Sequence, residues 1–162
     1  MPTATEISPA AITFKQNHGL LVKSWTGLTP EEWVKQPGET SNHLLWIVGH
    51  VVYCRSIILG LIGTEWTRPW LKYFGRGEKR IDPSQYPSPE EMIAAWQDVN
   101  AATVTALEQV SGDTLSAPTP GKLPTYDGKI GGTVAFLAFH ETYHVGQAAY
   151  LRTWLGHDGV AG

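Results

Sequence analysis

His140 and His144 stand four residues apart. On a helix that spacing puts both side chains on one face, with Cβ atoms about 5–6 Å apart. Two imidazoles placed so can grip one metal ion. Six histidines in 162 residues make such a pair a common accident, so its meaning depends on its company. Both share a stripe with Leu137, Gln147 and Leu151, and His50 lies mid-way along a second stripe with Ile47, Cys54, Ile57 and Leu61. Three inward histidines from two facing helices match the way bundles build metal sites. The ordinary alternative is a set of core imidazoles hydrogen-bonded to neighbours. Burying several unpartnered rings costs on the order of 1–3 kcal/mol each, which a shared metal relieves. His18, on a third stripe, is a candidate fourth ligand. His43 is expected to cap its helix or face solvent, and His157, in a glycine-rich tail, to have no role.

His140-Glu141-Thr142-Tyr143-His144 also matches H-E-x-x-H, the zinc-peptidase pattern in which the glutamate is the general base. Glu141 is therefore a candidate base for metal-dependent hydrolysis. Against that reading, Gln147 and Tyr150 stand where the extended signature needs a glycine and a third histidine, and no glutamate follows Glu141. Glu141 is also about 100° round the helix from His140.

The elements that carry these residues are helical. Ile7, Ala11, Phe14, His18, Leu21 and Trp25 follow at steps of three and four, predicting a helix over about 8–25. Thr29-Pro30-Glu31-Glu32 is a capping box that opens a short turn. A second long helix is expected from a cap at Ser41 or Asn42 to Gly60 and Gly63. A third runs from Ser88-Pro89-Glu90-Glu91 to a stop at Gly112, and a fourth from Gly131 or Gly132 to Gly156. No segment alternates as a half-buried strand does.

The fold class is thus all-α, a four-helix bundle, and 162 residues form one domain, 1–162. The linker from Thr64 to Pro87 is long enough to recross a bundle about 30 Å tall. Helices two and three can then run parallel, giving an up-down-down-up topology with a long crossover between them. Its aromatics, Trp66, Trp70, Tyr73 and Phe74, are expected either to roof the site as a packed lid or to pack over the end of the bundle.

Composition narrows the function classes. Apolar residues are 42%, charged residues 17% and the net charge is −3, so neither disorder nor a basic nucleic-acid or membrane surface is indicated. The apolar run Leu44–Ile62 contains His50 and Arg55 and reads as a buried helix rather than a membrane span. With no basic leader and a single cysteine, Cys54, a cytoplasmic location is expected.

Asn42-His43-Leu44-Leu45-Trp46-Ile47-Val48-Gly49-His50, followed by His140-x-x-x-His144-x-Gly146-Gln147 with Leu151-Arg152 and Gly156, resembles the DinB/YfiT-like family over essentially the whole chain. The resemblance implies that family's up-down-down-up bundle and homodimers. It also implies His50, His140 and His144 as ligands of a divalent metal ion, zinc, nickel or iron. Characterised members include S-transferases and isomerases that use low-molecular-weight thiols. The resemblance therefore implies a small-molecule substrate, with a small thiol as partner.

Three neutral imidazoles leave such an ion charged and open, as catalytic sites require. A coordinated thiol then becomes a nucleophile near neutral pH, and a coordinated water a hydroxide. The remaining alternative is a non-catalytic, metal-stabilised bundle or dimerisation module, in which His18 completes a closed site. Tyr143, Gln147 and Glu141 are candidates for orienting the imidazoles. Cys54, one turn from His50, is either an inert buried thiol or a neighbour of the site. Tyr53 and Arg55 are either substrate contacts or surface residues.

Overall fold

The computed structural model describes residues 8–161. Its helices are α1 (Ser8–Trp25), α2 (Leu44–Leu61), α3 (Pro89–Gln109), the five-residue α4 (Gly112–Ser116) and α5 (Ile130–Trp154). Among the described residues the only extended pairing is an isolated antiparallel bridge between Pro118 and Lys129. Ile7, expected at the head of the first stripe, lies outside the described residues.

The capping chemistry explains most of the boundaries. Glu32 N–H donates to Thr29 Oγ1 at 3.3 Å and Thr29 N–H donates back to Glu32 Oε2 at 2.9 Å, opening the turn Glu32–Val34. Ser88 Oγ accepts from Glu91 N–H at 3.2 Å, with Pro89 in the first turn of α3. Two expected boundaries differ. The cap of α2 is His43, not Ser41 or Asn42: its Nδ1 accepts from Trp46 N–H at 3.1 Å. And Gly112 does not stop α3. That helix ends at Gln109, and Ser111 caps α4, in which Gly112 is the first residue.

Two clusters of buried side chains fix the topology. One joins Ala10 and Phe14 at the start of α1 to Cys54 and Ile58 near the end of α2, Leu107 near the end of α3, and Ile130 and Val134 at the start of α5. The other joins Leu21 and Trp25 to Leu44, Ile47 and Val48, to Met92 and Trp96, and to Val145 and Leu151. So α1 and α5 run one way while α2 and α3 run the other, giving the up-down-down-up order the long crossover predicts.

α2 is the one described helix long and apolar enough to cross a membrane, but 67% of that span is buried inside the bundle. Its apolarity is that of the central core helix. The crossover is less a lid than a strap. Trp70, Leu71, Phe74 and Tyr86 belong to the core, and Trp70 Nε1 donates to Glu91 Oε1 on α3 at 3.1 Å. Phe74 lies directly over Gly49 of α2, where any Cβ would overlap its ring. A glycine at that position is what lets strap and helix touch.

Candidate metal centre

His50 on α2 and His140 and His144 on α5 come together: one nitrogen from each ring lies within 4.8 Å of the other two. His50 and His144 are buried and His140 is partly exposed. The far nitrogens of two rings are fixed by partners. His50 Nδ1 donates to the Phe74 carbonyl at 2.6 Å. A carbonyl can only accept, so the His50 proton sits on Nδ1 and Nε2 is bare. His144 Nδ1 lies 2.8 Å from Gln147 Oε1, and Gln147 Nε2 donates onward to the Tyr143 hydroxyl at 3.3 Å. His144 Nε2 is therefore bare as well, and it faces His140 Nε2 at 3.3 Å.

Flat side chains lock these rings in place. Trp46 stacks on His50 with ring centres 4.8 Å apart and planes 8° from parallel, and Phe136 stacks on His140 at 6.2 Å. Burial pushes all three histidines below their usual titration range. His144 falls to about 4 through burial and then the His50 charge, against the opposing Gln147 bond. His50 is lowered by burial against the Phe74 bond, and His140 by burial, then by His50 and Arg76. At neutral pH the cluster therefore presents uncharged rings, the form that binds metal.

Other sequence candidates divide. Gln147 orients His144, and Tyr143 supports Gln147. Glu141 is turned away from the cluster. It is 1% exposed and its two oxygens are held by Arg55, Nε at 2.5 Å and Nη2 at 2.9 Å. A carboxylate engaged on both oxygens by a buried guanidinium is an ion-pair partner, not a free base, which corrects its reading as a general base. Arg55 itself is fully buried, neither a surface residue nor a substrate contact in the histidine cluster.

His18 does not complete the cluster. Its Nδ1 accepts from Trp96 Nε1 at 3.0 Å between α1 and α3. His43 does not face solvent either; it is a buried cap. His157 contacts Glu32 at 2.9 Å.

Cys54 does approach the site. Its Sγ lies 3.7 Å from His50 Nε2 and 3.9 Å from His140 Nδ1. Burial, then the Glu141 charge, pushes it up to about 12, so without metal it stays a thiol. A cavity of about 570 Å³, lined by Ile47, Tyr143, Gln147 and Tyr150 among others, shares Gln147 with the His144 bond, while none of the three histidines lines it.

Sequence reasoning missed two contributors. One is the Phe74 carbonyl, a backbone group with no signature. The other is Trp46, whose buried Nε1–H has no partner. Arg55 carried a signal: a charge inside the most apolar stretch must find a partner.

No curated protein matches the chain. Among solved structures, the chain is similar to a crystal structure described as a conserved protein of locus from Enterococcus faecalis, with a TM-score of 0.69 and 15% sequence identity. That likeness covers 90% of this chain and 94% of the other, and it bears on the fold alone. The family model of the DinB superfamily matches residues 13–148. With the bundle, its topology and the three converging histidines in agreement with that match, the chain belongs to the DinB superfamily.

Proposed function

We propose that His50, His140 and His144 hold a divalent metal ion and that the protein transfers a low-molecular-weight thiol to a small electrophilic substrate. The observation that carries this is the convergence of uncharged ring nitrogens, two of them made bare by partners on the opposite side of the ring. An all-imidazole donor set suits zinc, nickel or iron. Such an ion, when bound, lowers the pKa of a coordinated thiol and supplies a nucleophile at neutral pH.

The chain's own part is positional. Phe74 and Gln147 fix the tautomers and ring planes of His50 and His144, and Trp46 and Phe136 restrict ring rotation. The neighbouring cavity gives a small molecule room to lie against Tyr143 and Gln147. Transfer is favoured over hydrolysis because Arg55 occupies both oxygens of Glu141. It is favoured over a closed structural centre because His18 is bonded to Trp96 instead.

The test loads the metal-free protein with zinc, nickel or iron(II). It then follows conjugation of a fluorogenic haloalkane with a panel of small thiols. Thiol-dependent product is expected from the loaded parent and not from His140→Ala. Metal-loaded protein that conjugates none of the thiols, or that hydrolyses an ester substrate with no thiol present, contradicts the proposal.

A further inference from the structure

The outer side of α5 is almost without charge. Among its 25 residues the Asp, Glu, Lys and Arg side chains are Glu141 and Arg152 alone, and both are engaged. Glu141 is held inside the bundle by Arg55, and Arg152 donates to the Asp158 carbonyl at 2.7 Å and the Thr26 carbonyl at 2.6 Å. The exposed sides of α1 and α3, by contrast, carry Lys15 and Lys23, and Glu90, Asp98 and Glu108. A solvated helix face ordinarily carries such residues.

In their place α5 exposes rings. Phe139, Tyr143 and Tyr150 are each 60% exposed and Trp154 is 42% exposed. They are four of the seven large apolar side chains that the described residues leave exposed. At about 100° per residue, the four fall within about 30° of one line along the helix. Tyr126, also exposed, extends the patch by packing on Phe136, whose ring meets Phe139. Taking about 200 Å² for an aromatic side chain, the exposed parts of these five come to roughly 600 Å². That is at the upper end of what a monomer leaves uncovered. It is most of the about 800 Å² that each partner buries in a standard interface.

The order of the rings says what covers them. Phe139, Tyr143, Tyr150 and Trp154 stand symmetrically about the point between Gly146 and Gln147. Turned end for end, the stripe matches itself. A second copy laid antiparallel sets the partner's Trp154 against Phe139 and the partner's Tyr150 against Tyr143. Gly146 then lies at the crossing point, exposed, with nothing within 4 Å of where a Cβ would stand. A small residue there lets two helices approach closely. The missing charge removes the repulsion that two identical faces would otherwise feel. A lipid surface fits less well, because helices that lie on membranes carry Lys and Arg beside their apolar face.

We infer that two copies of the chain pair through antiparallel α5 helices, about a two-fold axis near Gly146. The pairing covers the cavity of about 570 Å³ lined by Tyr143, Gly146, Gln147 and Tyr150, and the partner's rings become its outer wall. It also brings into the interface the Tyr143 hydroxyl, which is bonded to Gln147 and through it to His144. The inference stands on the surface of α5 and needs no metal.

Sedimentation of the full, metal-free chain tests it. The parent is expected to sediment as a dimer at micromolar concentration. Gly146→Glu meets open space within its own copy but sets two carboxylates face to face at the axis. It is expected to keep the parent's circular dichroism and to raise the dissociation constant at least about hundredfold. Cross-linking tests the register. Under diamide, Gly146→Cys is expected to link to its counterpart, whereas Phe139→Cys, about 22 Å from its own counterpart along the paired helices, links only when mixed with Trp154→Cys. A monomeric parent, free or bound to phosphatidylcholine vesicles, overturns the inference. So does a dimer that Gly146→Glu leaves intact, or one in which Phe139→Cys links to itself as readily as Gly146→Cys. The cross-linking pattern decides the matter even where Gly146→Glu fails to fold.

Discussion

At the scale of single residues, Arg55 and Glu141 form a buried pair beside the histidine cluster. Both are buried, and among the described residues each is the other's only opposite charge at hydrogen-bond distance. Removing one partner strands a buried charge. Glu141→Gln is therefore expected to destabilise the fold by about 3–5 kcal/mol in urea unfolding, and the paired change Arg55→Met with Glu141→Leu to recover much of that loss. A Glu141→Gln variant as stable as the parent contradicts the ion-pair role.

His43 sets a pH dependence. Burial, then the nearby Arg80 charge, holds it at about 4 against an ordinary 6.5, so the unfolded chain takes up the proton first. Its contribution is complete above about pH 6.5 and is lost as pH falls toward 4, by on the order of 3 kcal/mol. The other buried histidines titrate in the same sense. The informative quantity is thus the difference between the metal-free parent and His43→Asn, which keeps a capping oxygen. The variant is expected to lose less stability between pH 7 and pH 5. Equal losses contradict the assignment.

At the scale of elements, the strap over residues 71–74 and α2 work as a pair. Phe74 rests on Gly49, and one residue further along α2 the Phe74 carbonyl holds His50. Gly49→Ala forces the ring away, with an expected destabilisation of about 1–3 kcal/mol from overpacking. The same shift loosens His50, so weaker zinc binding is expected alongside the lower melting temperature. Unchanged values of both rule out the contact.

The sequence made α1, α2, α3 and α5 legible through their stripes, and α3 through its cap as well, and it put His50, His140 and His144 on inward faces. It did not reveal the strap's role. The aromatics there were visible as residues, but the group that acts on His50 is a backbone oxygen that any residue supplies. For the α2 cap, Ser41 and Asn42 do not serve, and of the two roles open to His43 it takes the capping one, although histidine is an uncommon cap. Only burial, which keeps its ring neutral, makes Nδ1 a dependable acceptor. Glu141 stays open to two readings in the sequence for a related reason. Its position after His140 fits a peptidase motif, whereas its partner lies 86 residues away on α2.

At the scale of the molecule, the topology brings α2 and α5 side by side although they are far apart in sequence. The crossover from α2 to α3 lets α2 and α3 run in the same direction, and α5 then returns beside α2 with His140 and His144 level with His50. The fold thus places the two histidine-bearing faces against each other. Whether those three rings are a metal site is tested most directly by elemental analysis of the purified, zinc-loaded and desalted protein. The parent is compared with His50→Ala and His144→Ala, each shown to be helical by circular dichroism. Roughly one divalent ion per chain is expected in the parent, and near-complete loss in both variants. Full retention in either variant, or no ion in the loaded parent, contradicts the two-helix metal centre.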